Sequence, residues 1–160
     1  MLQDKSILIT GGSSMVATHM KEILPSGYNV MYIDSSYCDL TDPKAVKWLI
    51  SSIMPDHVIH LAAKVGGIQD NIKYPAEYFN ENILMNTILI KVCQEYNIKR
   101  FTGILSTCIY PDVVDTYPMS ELDIHKGPPA PTNFSYGYSK RAMAVQIDAH
   151  NKQYGTKYNY

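Results

Sequence analysis

Short, nearly unbroken apolar runs alternate along this chain with longer stretches whose apolar residues recur every three or four positions. The run Ser6–Thr10 ends at Gly11-Gly12, the pattern of a buried strand feeding a turn. Residues 15–24 carry Met15, Val16, His19, Met20 and Ile23 at helical spacing and stop before Pro25-Ser26-Gly27. A second strand is expected at 28–33. Asp42-Pro43 then opens a helix, with aspartate as cap and proline at the first helical position, followed by Ala45, Val46, Trp48, Leu49 and Ile50. Residues 58–63 read as a third strand, 75–96 as a long helix, 101–105 as a fourth strand and about 135–153 as a final helix. Nearly continuous apolar strands alternating with helices imply an α/β fold, a doubly wound parallel sheet covered on both faces.

Two stretches break the alternation. Residues 111–133 show neither periodicity and hold Pro128, Pro129 and Pro131; a loop of that length inside a compact domain is usually functional. Residues 154–160 read as a helix stop followed by the start of another strand, so the domain is expected to be truncated there, with an unpaired sheet edge and an exposed apolar face.

Composition narrows the classes. A chain of 160 residues, 46% hydrophobic, is one domain with a real core. Its net charge of −1 and lack of basic runs argue against nucleic acid or an anionic membrane as partner. No apolar run approaches the roughly 20 residues that span a bilayer, and the first residues lead into a strand without a signal-peptide pattern. Three scattered cysteines, Cys38, Cys93 and Cys108, fit a reducing cytoplasm better than a disulfide framework. The dispersed histidines form no metal-ligand spacing, and His57 and His60 read as structural.

The first turn carries candidate chemistry. Gly11, Gly12, Ser13, Ser14, Met15 and Val16 join strand to helix where a pyrophosphate would meet unpaired helix N–H groups. The usual three close-contact points fall on Gly11, Ser14 and Ala17, so Ser14 brings a side chain where backbone approach should be tightest. Asp34, after the second strand, stands where an acidic residue bonds a ribose 2′-OH, and no Lys or Arg occurs between 28 and 42 to meet a 2′-phosphate. Those residues alone lean toward NAD, although Asp34 also suits the start of a turn. Asp39 and Leu40 are placed to touch the adenine edge.

The second group lies downstream. Ser106 follows the apolar run at 101–105, and Tyr136 and Lys140 sit four apart, one turn apart on the same helix face. In that arrangement an ammonium stabilises a phenolate and lowers the tyrosine's pKa toward working pH, for proton exchange with a carbonyl or hydroxyl oxygen. For Cys108 alone, a small packing residue is the commoner role.

With these residues assembled, the chain resembles the extended short-chain dehydrogenase/reductase family, within it the GDP-sugar 3,5-epimerase–4-reductases. The resemblance runs through residues 7–16, 57–67, 71–74, 105–112, 127–129 and 136–140 in family order, with Val65-Gly66-Gly67 and Ser106-Thr107-Cys108 its most specific pieces. It implies a Rossmann-like NAD(P)-binding domain over 1–160 that precedes a C-terminal substrate domain, and a homodimer when full length. It further implies Ser106, Tyr136 and Lys140 as the reductase set, Cys108 as acid/base in epimerisation, and NADPH as cofactor. Contacts to that cofactor extend to Leu61, Ala62, Ala63, Leu105, Tyr136 and Lys140. The implied substrate is GDP-4-keto-6-deoxy-D-mannose and the product GDP-L-fucose. The family's histidine partner to the cysteine matches no histidine here. An NAD-dependent sugar-nucleotide epimerase or dehydratase, or a non-catalytic nucleotide-binding fragment, are the alternatives.

Overall fold

The computed structural model describes residues 5–24 and 27–160. The approach of the first residues to the sheet, and Pro25-Ser26 as a helix stop, lie outside them. The strands are β1 Ser6–Thr10, β2 Asn29–Ile33, β3 His57–His60, β4 Arg100–Gly103 and β5 Tyr158–Asn159; the helices are α1 Met15–Ile23, α2 Pro43–Ile53, α3 Ile68–Lys73, α4 Pro75–Glu95 and α5 Phe134–Tyr154. All strand pairs are parallel, in the order β2-β1-β3-β4-β5.

The chain steps from β1 to β2 in one direction and from β2 onward in the other. Right-handed crossovers therefore put α1 on one face and α2, α4 and α5 on the opposite one. The main core lies on that second face, where Leu8, Val58, Phe101 and Tyr158 pack against Val46, Leu49 and Ile50 of α2, Leu89 and Cys93 of α4, and Met143 and Ile147 of α5. The α1 face is the barer of the two, in line with the exposed apolar face expected. Ile9 and Ala17 are fully buried there, but Ile59 is only half-buried and Ile104 is 44% exposed.

Local chemistry sets several boundaries. Asp42 accepts the Lys44 N–H at 2.8 Å with Pro43 next to it, as capping predicts. The third apolar run keeps one further bond to β1 past His60, from Leu61 N–H to Thr10 O at 3.2 Å, and then leaves the sheet where Asn82 takes both the N–H and the C=O of Lys64, at 2.9 and 3.0 Å. Asn82 belongs to a buried stripe on α4 made by Tyr78, Asn82, Asn86, Leu89, Ile90 and Cys93. Helix α3 was not expected: its six residues are too few for a periodic signal. The stretch 111–133 is irregular apart from 3-10 turns at Glu121–Asp123 and Pro131–Asn133.

Candidate active site

Parallel α/β sheets bind ligands at the C-terminal strand ends where the winding direction reverses, which here is between β1 and β3. A groove of about 710 Å³ opens at that point, lined among others by Gly11, Ser13, Ser14, Asp34, Asp39, Leu40, Leu61, Ala62 and Ala63. Gly11 has φ +72°, and a Cβ on it would lie 2.8 Å from Ala62 N, so only glycine lets the turn close onto the segment after β3. Gly12 is buried beside β2, its N–H on Ile33 O at 2.6 Å, and seats the turn without entering the groove. Ser14 caps α1 by accepting the Ala17 N–H at 3.2 Å. Its hydroxyl is thus turned onto the helix, while the residue still lines the groove. The Met15 and Val16 side chains are exposed, and neither of these expected cofactor contacts lines the groove; they form the first turn of α1, whose leading N–H groups have no partner within the helix. A glycine cradle, an open helix N-terminus and an apolar floor of Leu40, Leu61 and Ala62 fit a dinucleotide.

Asp34 also lines this groove, and it has the turn-starting role expected of it. Its Oδ1 accepts the Ser36 N–H at 3.0 Å and hydroxyl at 2.7 Å, starting a turn, and these two bonds hold the carboxyl below its usual pKa. Asp39 is held the same way by Thr41, at 2.7 Å from the hydroxyl. Lys21, which lowers the Asp34 pKa further, is itself bound to Gly12 O at 2.8 Å and lies over the Tyr32 ring.

A second pocket, about 290 Å³, shares Val65 with the groove and is otherwise lined by Gly66, Gly67, Ile68, Asn71, Cys108, Asn133 and Tyr136. Ser106 caps the 3-10 turn Thr107–Ile109 by accepting the Cys108 N–H at 3.2 Å, and its hydroxyl stands near enough to the Tyr136 phenol to lower that pKa. Three candidates, Ser106, Cys108 and Tyr136, are therefore together. Gly137 makes this possible, since a Cβ on it would stand 2.5 Å from Cys108 O; the cysteine's peptide rests directly on α5. Arg141, unremarked in the sequence, clamps the same turn: buried, it donates to Ile109 O at 2.9 Å and to Gly127 O at 2.9 Å.

The Tyr136–Lys140 relationship differs from expectation. Lys140 is 2% exposed and its ammonium donates to Ile104 O at 2.9 Å, with burial lowering its pKa to about 8. Tyr136 is raised above its ordinary pKa by burial, only partly countered by Ser106 and pushed further up by Cys108. The expected lowering of the phenol by the ammonium is absent. Leu105 packs against the core, and it, Tyr136 and Lys140 do not line the dinucleotide groove. Beneath the site, fully buried His60 links the layers: Nδ1 is 2.7 Å from Thr10 Oγ1 and Nε2 is 3.0 Å from Asn86 Oδ1. No group of three His, Cys, Asp or Glu among the described residues is arranged to hold a metal, and no helix among them is long and apolar enough to cross a membrane.

The chain is 42% identical over 158 residues to GDP-L-fucose synthase of Dictyostelium discoideum, covering 96% of this chain and 49% of that protein. It is 35% identical to a probable GDP-L-fucose synthase of Drosophila melanogaster, again covering 96% and 49%. A GDP-L-fucose synthetase from Naegleria fowleri, solved bound to NADP, superimposes with a TM-score of 0.86 at 31% identity, covering 99% of this chain and 52% of that one. The chain thus spans about half the length of the relatives it matches. The sequence pattern of the NAD dependent epimerase/dehydratase family matches residues 7–160, and this chain, with its parallel sheet, glycine turn and Ser/Tyr/Lys order, belongs to that family.

Proposed function

We propose that residues 1–160 form the nucleotide-binding domain of a nicotinamide-dependent GDP-sugar epimerase–reductase, one that converts GDP-4-keto-6-deoxy-D-mannose to GDP-L-fucose. The observation that carries this reading is the pocket where Cys108 and Tyr136 meet, supported by Ser106 and adjoining the dinucleotide groove through Val65. A ketone at C4 acidifies the hydrogens at C3 and C5. Cys108 on one ring face and a second acid–base group on the other then act in turn, one removing the proton from carbon and the other delivering one from the opposite face, inverting each centre. A bound nicotinamide supplies the hydride for C4. Tyr136 supplies the proton to the C4 oxygen and Ser106 hydrogen-bonds that oxygen. Lys140, anchored on Ile104 O, contributes a buried positive charge behind the tyrosine.

NADPH is the cofactor we propose, on the similarity to a relative solved with NADP. One observation favours NADH as the second reading: Asp34 lines the groove, with no Lys or Arg from residue 28 to 42. Self-association is proposed through the apolar hollow of Phe79, Phe134, Tyr138 and Ala142 on α4 and α5. The deciding experiment incubates the full-length enzyme that carries this domain with GDP-4-keto-6-deoxy-D-mannose and each reduced cofactor and identifies the sugar product. GDP-L-fucose supports the proposal, whereas a reduced but unepimerised sugar, or no turnover, rejects it.

A further inference from the structure

The pocket beside Cys108 and Tyr136 holds two amide oxygens with nothing to bond. Asn71 and Asn133 both line it, and the Oδ1 of each is sealed from solvent and has no hydrogen-bond partner. Such groups are rare in folded proteins, because a buried acceptor without a donor costs about 1–3 kcal/mol. Neither is explained by the fold around it.

Asn133 stands at the N-cap position of α5, where an asparagine ordinarily accepts a backbone N–H from the first helical turn. It makes no such bond. It is the last residue of the 3-10 turn Pro131–Asn133, which packs against α3, the helix that carries Asn71. Asn71 is 8% exposed, and its Nδ2 donates to Gly66 O at 3.2 Å and Gly67 O at 3.1 Å. Those two carbonyls fix the orientation of the amide, since reversing it would set oxygen against oxygen. The Asn71 oxygen is thus a true acceptor, held rigidly by the glycine segment that forms the pocket wall. Asn133 has no bond to fix its amide, but a hydroxyl both donates and accepts and satisfies either orientation.

We propose that Asn71 and Asn133 are substrate-positioning residues that bond ring hydroxyls of the hexose and so set its face toward Cys108 and Tyr136. The ligand class follows from the pocket. Two neutral acceptors a few side chains from a thiol and a phenol, with no charged side chain in the lining, suit a polyhydroxylated, uncharged ring. The proposal rests on the GDP-sugar reading and assigns two residues that it did not use.

The test compares the affinities of GDP-mannose and GDP by calorimetry in the full-length wild-type enzyme and in its Asn133→Ala, Asn133→Asp and Asn71→Ser variants. The ratio of the two affinities isolates the sugar and is insensitive to loss of overall stability. The expected result is a drop of roughly tenfold in that ratio for Asn133→Ala and Asn71→Ser. Recovery is expected in Asn133→Asp, which keeps an oxygen in place. An unchanged ratio in both alanine and serine variants overturns the proposal while leaving the GDP-sugar reading intact. A wild-type protein that binds GDP and GDP-mannose equally well overturns that reading and the proposal together.

Discussion

Lys140 directs its ammonium at the carbonyl oxygen of Ile104, 2.9 Å away just beyond β4, while Tyr136, one turn earlier on the same helix, turns its phenol toward Ser106. The two residues of the motif are thus engaged by different parts of the strand end. Burial lowers the Lys140 pKa to about 8, against the ordinary 10.5 of an unfolded chain. Between those values the unfolded state holds the proton and the folded state does not, so stability rises with pH from about 8 to 10.5. Lys140→Met removes that dependence. The variant is expected to be more stable than wild type at pH 7 by about 1–3 kcal/mol, with the advantage shrinking as pH rises through 8 to 10. Urea unfolding of both proteins across that range measures it; a constant difference would place the Lys140 pKa outside the window.

His60 gives the opposite end of the pH scale. With Asn86 Oδ1 as acceptor, Nε2 carries the proton and Nδ1 accepts from Thr10, so the ring is neutral and doubly bonded. Burial and the nearby Lys140 push its pKa down to about 3. An unfolded histidine takes up a proton near 6.5, so this group withdraws stability as pH falls from 6.5 toward 3. His60→Gln is expected to be less stable than wild type at pH 7 by about 1–3 kcal/mol, through imperfect replacement of the two bonds. Its stability should nevertheless fall less steeply in acid. Equal acid slopes in the two proteins would show that His60 is protonated in the fold.

The glycine turn, the Asp42-Pro43 helix start and the strand–helix alternation were legible because each depends on local rules. Gly11 needs a positive φ, Asp42 caps, and the strands are apolar on both faces. The support of the site was not legible. Asn82 and Asn86 occupy the buried stripe of α4 that hydrophobic spacing reads as solvent-facing, and Arg141 is buried on α5 although its type predicts a surface. Their partners, Lys64, His60, Ile109 and Gly127, lie between 14 and 32 residues away in sequence. No window along the chain joins them. The same holds for the Tyr136 pKa: helical spacing brings the lysine near, but burial and the pull of Ile104 O are tertiary effects.

Asp34 is the residue expected to weigh against a 2′-phosphate. Its carboxylate stays ionised at neutral pH, since the Ser36 bonds hold its pKa low, and it lines the groove at the end of β2. A phosphate on the adenosine ribose brings negative charge toward it. Asp34→Asn is expected to strengthen NADPH binding relative to NADH by several-fold, most clearly at low salt. Fluorescence titration of both cofactors against both proteins measures the ratio. No change in that ratio would place the ribose away from Asp34.

Cys108 distinguishes an epimerase–reductase from a simple reductase. It shares the pocket with Tyr136, and its backbone is fixed by Ser106 on one side and by contact with Gly137 on the other. A thiol is far more acidic than an alkyl hydroxyl, so Cys108→Ser keeps the shape and removes the group able to trade protons with carbon. Solvent deuterium incorporation at C3 and C5 of the 4-keto sugar should fall by at least 100-fold, within the usual contribution of an acid–base group. Reduction of an already epimerised 4-keto sugar should persist in this variant, because Ser106, Tyr136 and Lys140 remain. Tyr136→Phe should do the reverse, ending reduction while leaving exchange and nucleotide binding close to wild type. Mass spectrometry of the recovered sugar reads the first effect and cofactor oxidation the second. Deuterium entering as fast in Cys108→Ser as in wild type would make Cys108 a packing residue, and the proton exchange would then have to come from another acid.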